Sequence, residues 1–131
     1  MIGGNSQDVP PDIDDILSSE SPSSETVRRA RALVALRRLV RIWSDPPIYV
    51  SMSEHGDHVV VNGVFCSCEA FERSLRRGGG GCYHVWAARL YGSEAPRVNL
   101  SPEQAWSVIY EVATTGFSLT LRRILFGGGR G

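Results

Sequence analysis

The apolar and polar residues of segment 25–43 recur with a helical period. On a helical wheel the apolar half contains Ala32, Leu33, Ala35, Leu36, Leu39, Val40, Ile42 and Trp43, and the other half contains Arg31, Arg37, Arg38 and Arg41. This pattern predicts a helix over residues 25–43 with Ser24 as its N-cap. The helix is expected to end at Asp45-Pro46-Pro47, because proline cannot continue a helix.

The next apolar segments favour strands. Residues 48–52 and 58–65 are rich in β-branched and aromatic side chains, and His55-Gly56-Asp57 lies between them. We therefore predict two strands joined by a turn as an antiparallel hairpin. Asn62-Gly63 predicts a further turn just before Cys66.

The second half of the chain returns to helical patterns. The predicted helices are a short one over residues 69–76, one over 83–91 that ends at Gly92, and one over 101–113 that ends at Gly116. The third begins with Ser101-Pro102-Glu103-Gln104, a capping box with proline at the first helical position. Residues 117–126 alternate like a strand but have a composition that also allows a helix.

Both ends of the chain are poor in core-forming residues. Residues 1–24 are rich in Ser, Asp, Pro and Gly and are predicted to be a disordered acidic tail, and residues 127–131 a flexible glycine-rich end. Residues 25–126 would then form one domain of the α+β class, with an N-terminal helix, a short antiparallel β-hairpin and C-terminal helices. A core of this size gains stability from a staple such as a bound metal.

The charge of the chain is zero overall but unevenly distributed. Residues 1–26 contain six acidic residues and no basic one, whereas residues 27–131 contain 14 arginines and eight acidic residues, a net charge of +6. The chain has no lysine. The simpler explanation for arginine in place of lysine is the codon bias of a GC-rich genome. The alternative is that the planar guanidinium serves to recognise phosphate or carboxylate groups.

The cysteine content and the hydropathy of the chain indicate the cellular compartment in which the protein is expected. The three cysteines are odd in number and cannot form a closed disulfide set. Residues 1–26 lack both a basic residue and an apolar run, so they do not resemble a secretory signal, and no stretch approaches the ~20 apolar residues of a membrane span. We expect a cytoplasmic protein, in which clustered cysteines usually bind metal.

The strongest chemical signal is a cluster of thiols and an imidazole. Cys66-Ser67-Cys68 is followed, after thirteen residues, by Cys82-Tyr83-His84. Three thiolates and one imidazole match the donors that Zn²⁺ binds in structural sites, and they leave no open position for a catalytic water. His55 or His58 could replace His84 or form a second weak site, although both are more simply polar residues of the hairpin. A chance cluster is the remaining alternative.

This spacing resembles the SWIM zinc finger, in which Cys-x-Cys is followed by a variable gap and Cys-x-His. The resemblance extends to Ala87, three residues after the ligand histidine, to the strands before the first cysteine and to the helix after the histidine. It covers about residues 47–91. It implies a Zn²⁺ ion held by Cys66, Cys68, Cys82 and His84.

The resemblance also suggests a functional context. SWIM fingers occur in transposases, chromatin remodellers and E3 ligases, and in small stand-alone proteins that partner RecA-type recombinase paralogues in homologous recombination. The size and layout of this chain are most similar to the last group. The resemblance thus implies an adaptor in DNA recombination or repair, associated with the nucleoid or, in a eukaryote, with the nucleus.

The arginines raise the alternative of direct nucleic-acid binding. The candidate contact residues are Arg31, Arg37, Arg38 and Arg41 on the first predicted helix and Arg73, Arg76 and Arg77 in the predicted zinc loop. They could neutralise DNA phosphates or meet an acidic patch on a partner protein. They could equally form a solvated face.

Several apolar residues exceed what a small core needs. Trp43, Trp86, Ala87, Leu90, Trp106, Ile109 and Tyr110 recur at helical spacing, and Leu119, Leu121, Ile124, Leu125 and Phe126 lie near the C-terminus. They are expected to complete the core or to form an exposed patch that binds another chain.

The sequence lacks the usual enzyme signatures. It has no paired-carboxylate pattern and no zinc-deaminase motif, and Gly78–Gly81 lacks the Gly-Lys-Ser/Thr of a phosphate-binding loop. A nucleophilic pair of Cys82 with His84 is a less simple account than a metal site, because two more cysteines lie beside it. We therefore expect no enzymatic activity and no small-molecule substrate.

Overall fold

The structure, a computed structural model, describes residues 22–127. The predicted acidic tail therefore lies outside the described residues except for residues 22–24, and so does the glycine-rich end except for Gly127. The helices are α1 (Ser24–Ala35), α2 (Glu69–Arg76), α3 (Tyr83–Tyr91), α4 (Pro102–Thr115) and α5 (Leu119–Arg122), and the strands are β1 (Leu39–Ser44), β2 (Pro47–Ser53), β3 (Gly56–Val61) and β4 (Phe65–Cys66). A 3₁₀ turn covers Gly92–Glu94, and a π-helical turn covers Arg123–Gly127. The α+β class is confirmed.

The prediction of one helix over residues 25–43 is wrong in its second half. Helix α1 begins at Ser24, with Ser23 as its N-cap, and ends at Ala35. Arg37 then adopts a positive φ of 58°, which is incompatible with a right-handed α-helix. Strand β1 follows. Asp45-Pro46 does not end a helix but lies in the turn between β1 and β2.

The misassigned residues look helical because both faces of β1 are covered. Leu39 packs in one buried cluster, whereas Val40 and Ile42 pack in the other. A strand buried on both faces has a nearly continuous apolar sequence without the alternation of a half-exposed strand. Leu39, Val40, Ile42 and Trp43 therefore fit the apolar half of a helical wheel as well as they fit the two faces of a strand.

The predicted hairpin is part of a larger antiparallel sheet. The four strands lie in the order β1-β2-β3-β4, and β2 pairs with β3 from Ile48 opposite Val61 to Ser53 opposite Gly56. The predicted turn at Asn62-Gly63 is confirmed, since both residues have positive φ and connect β3 to β4. This turn brings Cys66 back alongside Val60 of β3.

Helices cover the two faces of the sheet and divide the core in two. One cluster joins α1 and α3 to the sheet through residues such as Leu33, Tyr49 and Val85. The other joins α4 and α5 to the sheet through residues such as Val50, Val108 and Leu121. The cysteines and Phe71 belong to the first cluster, so the candidate metal site lies on the α1–α3 side of the sheet.

Helix α4 follows the predicted capping signals. Helix α4 begins with the capping box of Ser101 and Gln104 and ends at Gly116, which has the left-handed φ of 84°. The ambiguous segment 117–126 is helical, because Ser118 caps α5 and Leu121 is fully buried beneath it. Among residues 22–127, no helix combines the length and apolar character needed to cross a membrane.

A buried ion pair that the sequence pattern does not reveal fixes α5 to the β2–β3 hairpin. The Asp57 side chain is fully buried and pairs with Arg122, whose side chain is 30% exposed. Asp57 also accepts a hydrogen bond from the backbone N–H of Ser118 at 2.9 Å. Arg122 in turn donates to the carbonyl oxygen of Ser53 at 3.1 Å. Asp57 appears in the sequence only as a turn residue, and its partner is 65 positions away.

Candidate metal centre

The structure brings the four predicted metal ligands together from three elements. Cys66 ends β4, Cys68 is the N-cap of α2, Cys82 is the N-cap of α3, and His84 lies in the first turn of α3. All four side chains are buried. Their ligand atoms lie within 4.8 Å of one another.

The spacing of these atoms fits a tetrahedral zinc-type site. Nδ1 of His84 lies 3.7 Å from Sγ of Cys66 and 3.6 Å from Sγ of Cys82. Zn–S and Zn–N bonds of ~2.3 and ~2.0–2.1 Å at tetrahedral angles place sulfur and nitrogen about 3.6 Å apart and two sulfurs about 3.8 Å apart. The donor set and the distances therefore suit a metal ion of the zinc type with four protein ligands.

The turn through Cys66-Ser67-Cys68 is fixed by its middle residue. Ser67 donates its backbone N–H to the carbonyl of Val59 at 3.0 Å, and its hydroxyl accepts the N–H of Val59 at 3.0 Å. This double link to β3 holds Ser67 against the sheet. The two flanking cysteines are two positions apart, so their side chains point to the same side of a near-extended chain, and both are buried.

Two of the sulfur ligands stand at helix N-termini. Sγ of Cys68 accepts the backbone N–H of Phe71 at 3.4 Å, so this sulfur caps α2 as a serine hydroxyl would. Cys82 occupies the same position before α3. The free N–H groups and the positive end of each helix dipole stabilise thiolate charge. The prediction that Cys82 and His84 come from a helix start is confirmed, whereas the capping role of Cys68 was not predicted.

The glycine run gives α2 and α3 room to pack close to the metal ligands. A Cβ on Gly79 would lie 2.6 Å from the hydroxyl oxygen of Ser74, so a side chain there would displace that hydroxyl. Gly81 has a φ of 115°, and its N–H donates to the same hydroxyl at 3.0 Å. The chain can thus turn back within four residues and deliver Cys82 to the cluster.

Proximity shifts the pKa values of the ligands. Hydrogen bonds with Cys68 and Cys82, together with burial, raise the pKa of Cys66. The hydrogen bonds that Cys68 receives from Cys66 and Cys82 lower its pKa against the effect of burial. Burial alone would lower the pKa of His84, but its interactions with Cys68 and Cys82 outweigh burial and raise that pKa to about 9. Without metal, the cluster therefore keeps protons on Cys66 and His84 at neutral pH.

These shifts predict a steep pH dependence of metal affinity. Metal ligands must be deprotonated, so binding near neutral pH releases the protons of Cys66 and His84. We expect the apparent affinity to fall by at least about a hundredfold for each pH unit below neutrality, because at least two protons compete with the ion. Competition with a chelator across a pH series measures this slope, and an affinity independent of pH would contradict the assignment.

The stability of the metal-free protein should fall as pH rises, whereas the metal affinity should increase. The raised pKa of His84 means that the folded state holds this proton more tightly than the unfolded state. Its contribution to stability is complete below the usual histidine pKa of 6.5 and is lost as pH rises through about 9. Melting temperatures of the metal-free and metal-loaded protein should therefore diverge as pH increases.

The other two histidines lie outside the ligand cluster. The side chain of His55 is 89% exposed and lies 3.6 Å from Glu54 in the hairpin turn. The ring of His58 is half-buried, with its centroid 5.2 Å from that of His84. Burial, reinforced by the charge of His84, lowers the pKa of His58. The cluster of four candidate ligands contains His84 rather than either of these.

The predicted contact arginines come from several elements of the fold and not from one helix face and one loop. Arg31 lies on α1 and donates to the hydroxyl of Tyr91 at 3.1 Å. Arg37 and Arg38 lie in the turn after α1, and Arg41 lies in β1, so the expected arginine face of a single helix is wrong. In the zinc loop, Arg73 pairs with Glu69 and Arg76 with Glu72 along α2, whereas Arg77 forms the C-cap of that helix.

Comparison with known families agrees with this geometry. Residues 47–91, about a third of the chain, match the family model of the SWIM zinc finger. The matched segment contains β2 to α3 and all four candidate ligands. The resemblance of residues 47–91 to the SWIM zinc finger, seen in the sequence, is thus confirmed. Neither the curated proteins nor the solved structures gave a match.

Proposed function

We propose that this protein is a zinc-binding SWIM adaptor in DNA recombination or repair, and that it acts through contacts with a RecA-type recombinase paralogue. The donor set supports zinc as the resident ion, because three thiolates and an imidazole are typical of structural zinc sites. Elemental analysis of the purified protein should find one zinc per chain. The partner comes from the resemblance of the chain to small stand-alone SWIM proteins.

We also propose that the protein is not an enzyme. The four ligands are buried and come from the protein, so a metal they hold would keep no open position for a reactive water. In this reading the ion joins β4, α2 and α3 and thereby stabilises the domain, while the exposed surface does the binding.

A pair of exposed aromatic residues on α4 is the observation that carries the adaptor proposal. Trp106 is 71% exposed and Tyr110 is 67% exposed, so neither fills the core, which was one of the two alternatives predicted from the sequence. They lie four residues apart and therefore on the same face of the helix. Large aromatic residues often contribute most of the binding energy at protein interfaces. Leu119 and Phe126, 60% and 67% exposed, add apolar surface in the C-terminal segment.

The test is a binding assay between the full zinc-loaded chain and RecA-type recombinase paralogues of the same organism. Trp106→Ala and Tyr110→Ala should each weaken binding by about tenfold or more, as expected for residues central to an interface. Ser107→Ala, an exposed position on the same helix, should leave it unchanged. Binding that is unaffected by the aromatic substitutions would contradict the proposed surface, and no binding to any paralogue would contradict the partner.

Direct nucleic-acid binding is a second candidate, favoured by the number of arginines without an acidic partner. Within residues 22–127, five of the seven candidate arginines form no ion pair: Arg31, Arg37, Arg38, Arg41 and Arg77. Unpaired guanidinium groups are available to phosphates, and the affinity would then fall steeply with salt concentration. A salt titration separates this function from an apolar protein contact, which would be less sensitive to salt.

A further inference from the structure

Two arginines lie side by side at the outer edge of the sheet. The backbone N–H of Arg41 donates to Pro96 at 2.8 Å, and the N–H of Val98 donates to the carbonyl of Arg41 at 2.8 Å. These bonds form a parallel bridge between Arg41 and Arg97. Paired residues in a bridge project their side chains to the same face. Two positive charges are therefore held next to each other by the backbone.

Both guanidinium groups converge on Ser44. Arg41 donates Nη2–H to the carbonyl oxygen of Ser44 at 3.3 Å, and Arg97 donates Nη2–H to its hydroxyl. In the described part of the chain, neither arginine forms an ion pair with a carboxylate. Adjacent like charges destabilise a fold unless something neutralises them. A bound anion would therefore reduce the repulsion between the two guanidinium groups.

One donor of the pair is also buried without an acceptor. Nε of Arg41 is shielded from solvent and has no hydrogen-bond partner among residues 22–127. A buried N–H without a partner is unfavourable, and a turn of the Arg41 side chain that let Nε donate to a bound oxygen would remove this cost. Arg97, by contrast, is exposed and can be reached from solution. An oxyanion at this position would meet one fixed and one accessible guanidinium.

A cavity of about 360 Å³ lies beside the pair. Its walls include Trp43, Val98 and Leu100 together with the two arginines. This volume exceeds that of a single oxyanion and leaves room for an attached flat or apolar group. Asp45 also lines the cavity, although it takes part in none of the ion pairs found among residues 22–127.

We propose that Arg41 and Arg97 form a binding site for a phosphate group. The planar fork of arginine matches the oxygens of phosphate in two-point contacts. An aromatic residue in the same cavity favours the phosphodiester of a single-stranded nucleic acid as the source, because bases stack on aromatic rings beside cationic grooves. The site stands independently of the α4 surface and of any protein partner.

The test compares two phosphate probes on the zinc-loaded full chain. A labelled single-stranded oligonucleotide reports the phosphodiester by fluorescence anisotropy, and inorganic phosphate reports the free anion by NMR chemical shifts of the arginine side chains. Arg97→Gln should weaken oligonucleotide binding about tenfold and reduce the salt slope by about one ion. Arg41→Gln should act in the same direction, and Arg97→Lys should recover only part of the affinity because lysine lacks the fork.

The control is Arg123→Gln, an exposed arginine outside this cavity that removes the same charge. Loss of oligonucleotide binding in the Arg41 and Arg97 variants but not in this control supports a nucleic-acid phosphate site. An effect on inorganic phosphate alone supports the site and overturns the nucleic acid as its source. Equal effects of all three glutamine variants, or none, overturn the site. Circular dichroism melting confirms that each variant is folded.

Discussion

Replacement of Cys82 by serine is expected to release the metal and to unfold or strongly destabilise the domain. Cys82 supplies one of the four ligands and precedes α3, which packs against α1 and the sheet in the same buried cluster. Structural zinc sites contribute folding free energy directly, with apparent values of about 10–16 kcal/mol in zinc-finger peptides. This chain also has a second core, on the other face of the sheet, so we expect a partial loss that still amounts to several kcal/mol.

Thermal melting together with metal analysis measures this effect. His84→Gln should behave like Cys82→Ser, whereas His55→Gln, at an exposed histidine outside the cluster, should retain both metal and stability. Treatment of the unaltered protein with a chelator should reproduce the loss. Loss of metal without a change in the melting temperature would show that the site is not structural.

Replacement of Asp57 by alanine is expected to cost about 3 kcal/mol of unfolding free energy, the lower end of the range for breaking a buried ion pair. The lower end applies because Arg122 is 30% exposed and can partly return to water. The substitution also leaves the buried N–H of Ser118 without its acceptor. Helix α5 would lose its main polar contact with the β2–β3 hairpin, so we expect α5 to separate from the sheet before the rest of the domain unfolds.

Urea unfolding of the zinc-loaded protein measures this loss. Glu72→Ala removes an exposed ion pair with Arg76 on α2 and should change the stability by less than about 1 kcal/mol. A double-mutant cycle with Arg122→Ala separates the pair energy from the cost of each single substitution. Equal effects of Asp57→Ala and Glu72→Ala would mean that burial adds nothing to the Asp57 pair.

The metal ligands could be predicted from the sequence because their spacing is short and their chemistry is rare. Cys66, Cys68, Cys82 and His84 fall within nineteen positions, and the donor types alone indicate a metal. The helix starts at Ser101 and Tyr83 and the turn at Asn62-Gly63 were predictable for a related reason, since caps and turns depend on a few neighbouring residues. The capping role of Cys68 was missed because cysteine is not a usual N-cap.

Long-range pairing could not be read from the chain in the same way. Arg41 lies opposite Arg97, and Asp57 pairs with Arg122, although each pair is separated by more than fifty positions. No local pattern marks such partners, because they meet only after the sheet and helices have packed. The exposure of Trp106 and Tyr110 is also a tertiary result, since their spacing alone fits a buried face equally well.

Features that depend on neighbours along the chain could therefore be predicted from the sequence: the four candidate metal ligands, the β2–β3 hairpin, the ends of α3 and α4, and the α+β class. The strand at residues 39–44 could not, because it depends on tertiary contacts. Leu39 and Val40 face opposite sides of the sheet, and each is buried by a different set of helices. A strand buried on both faces carries no alternation, so its conformation is set by its pairing with β2 and not by its own pattern of apolar residues.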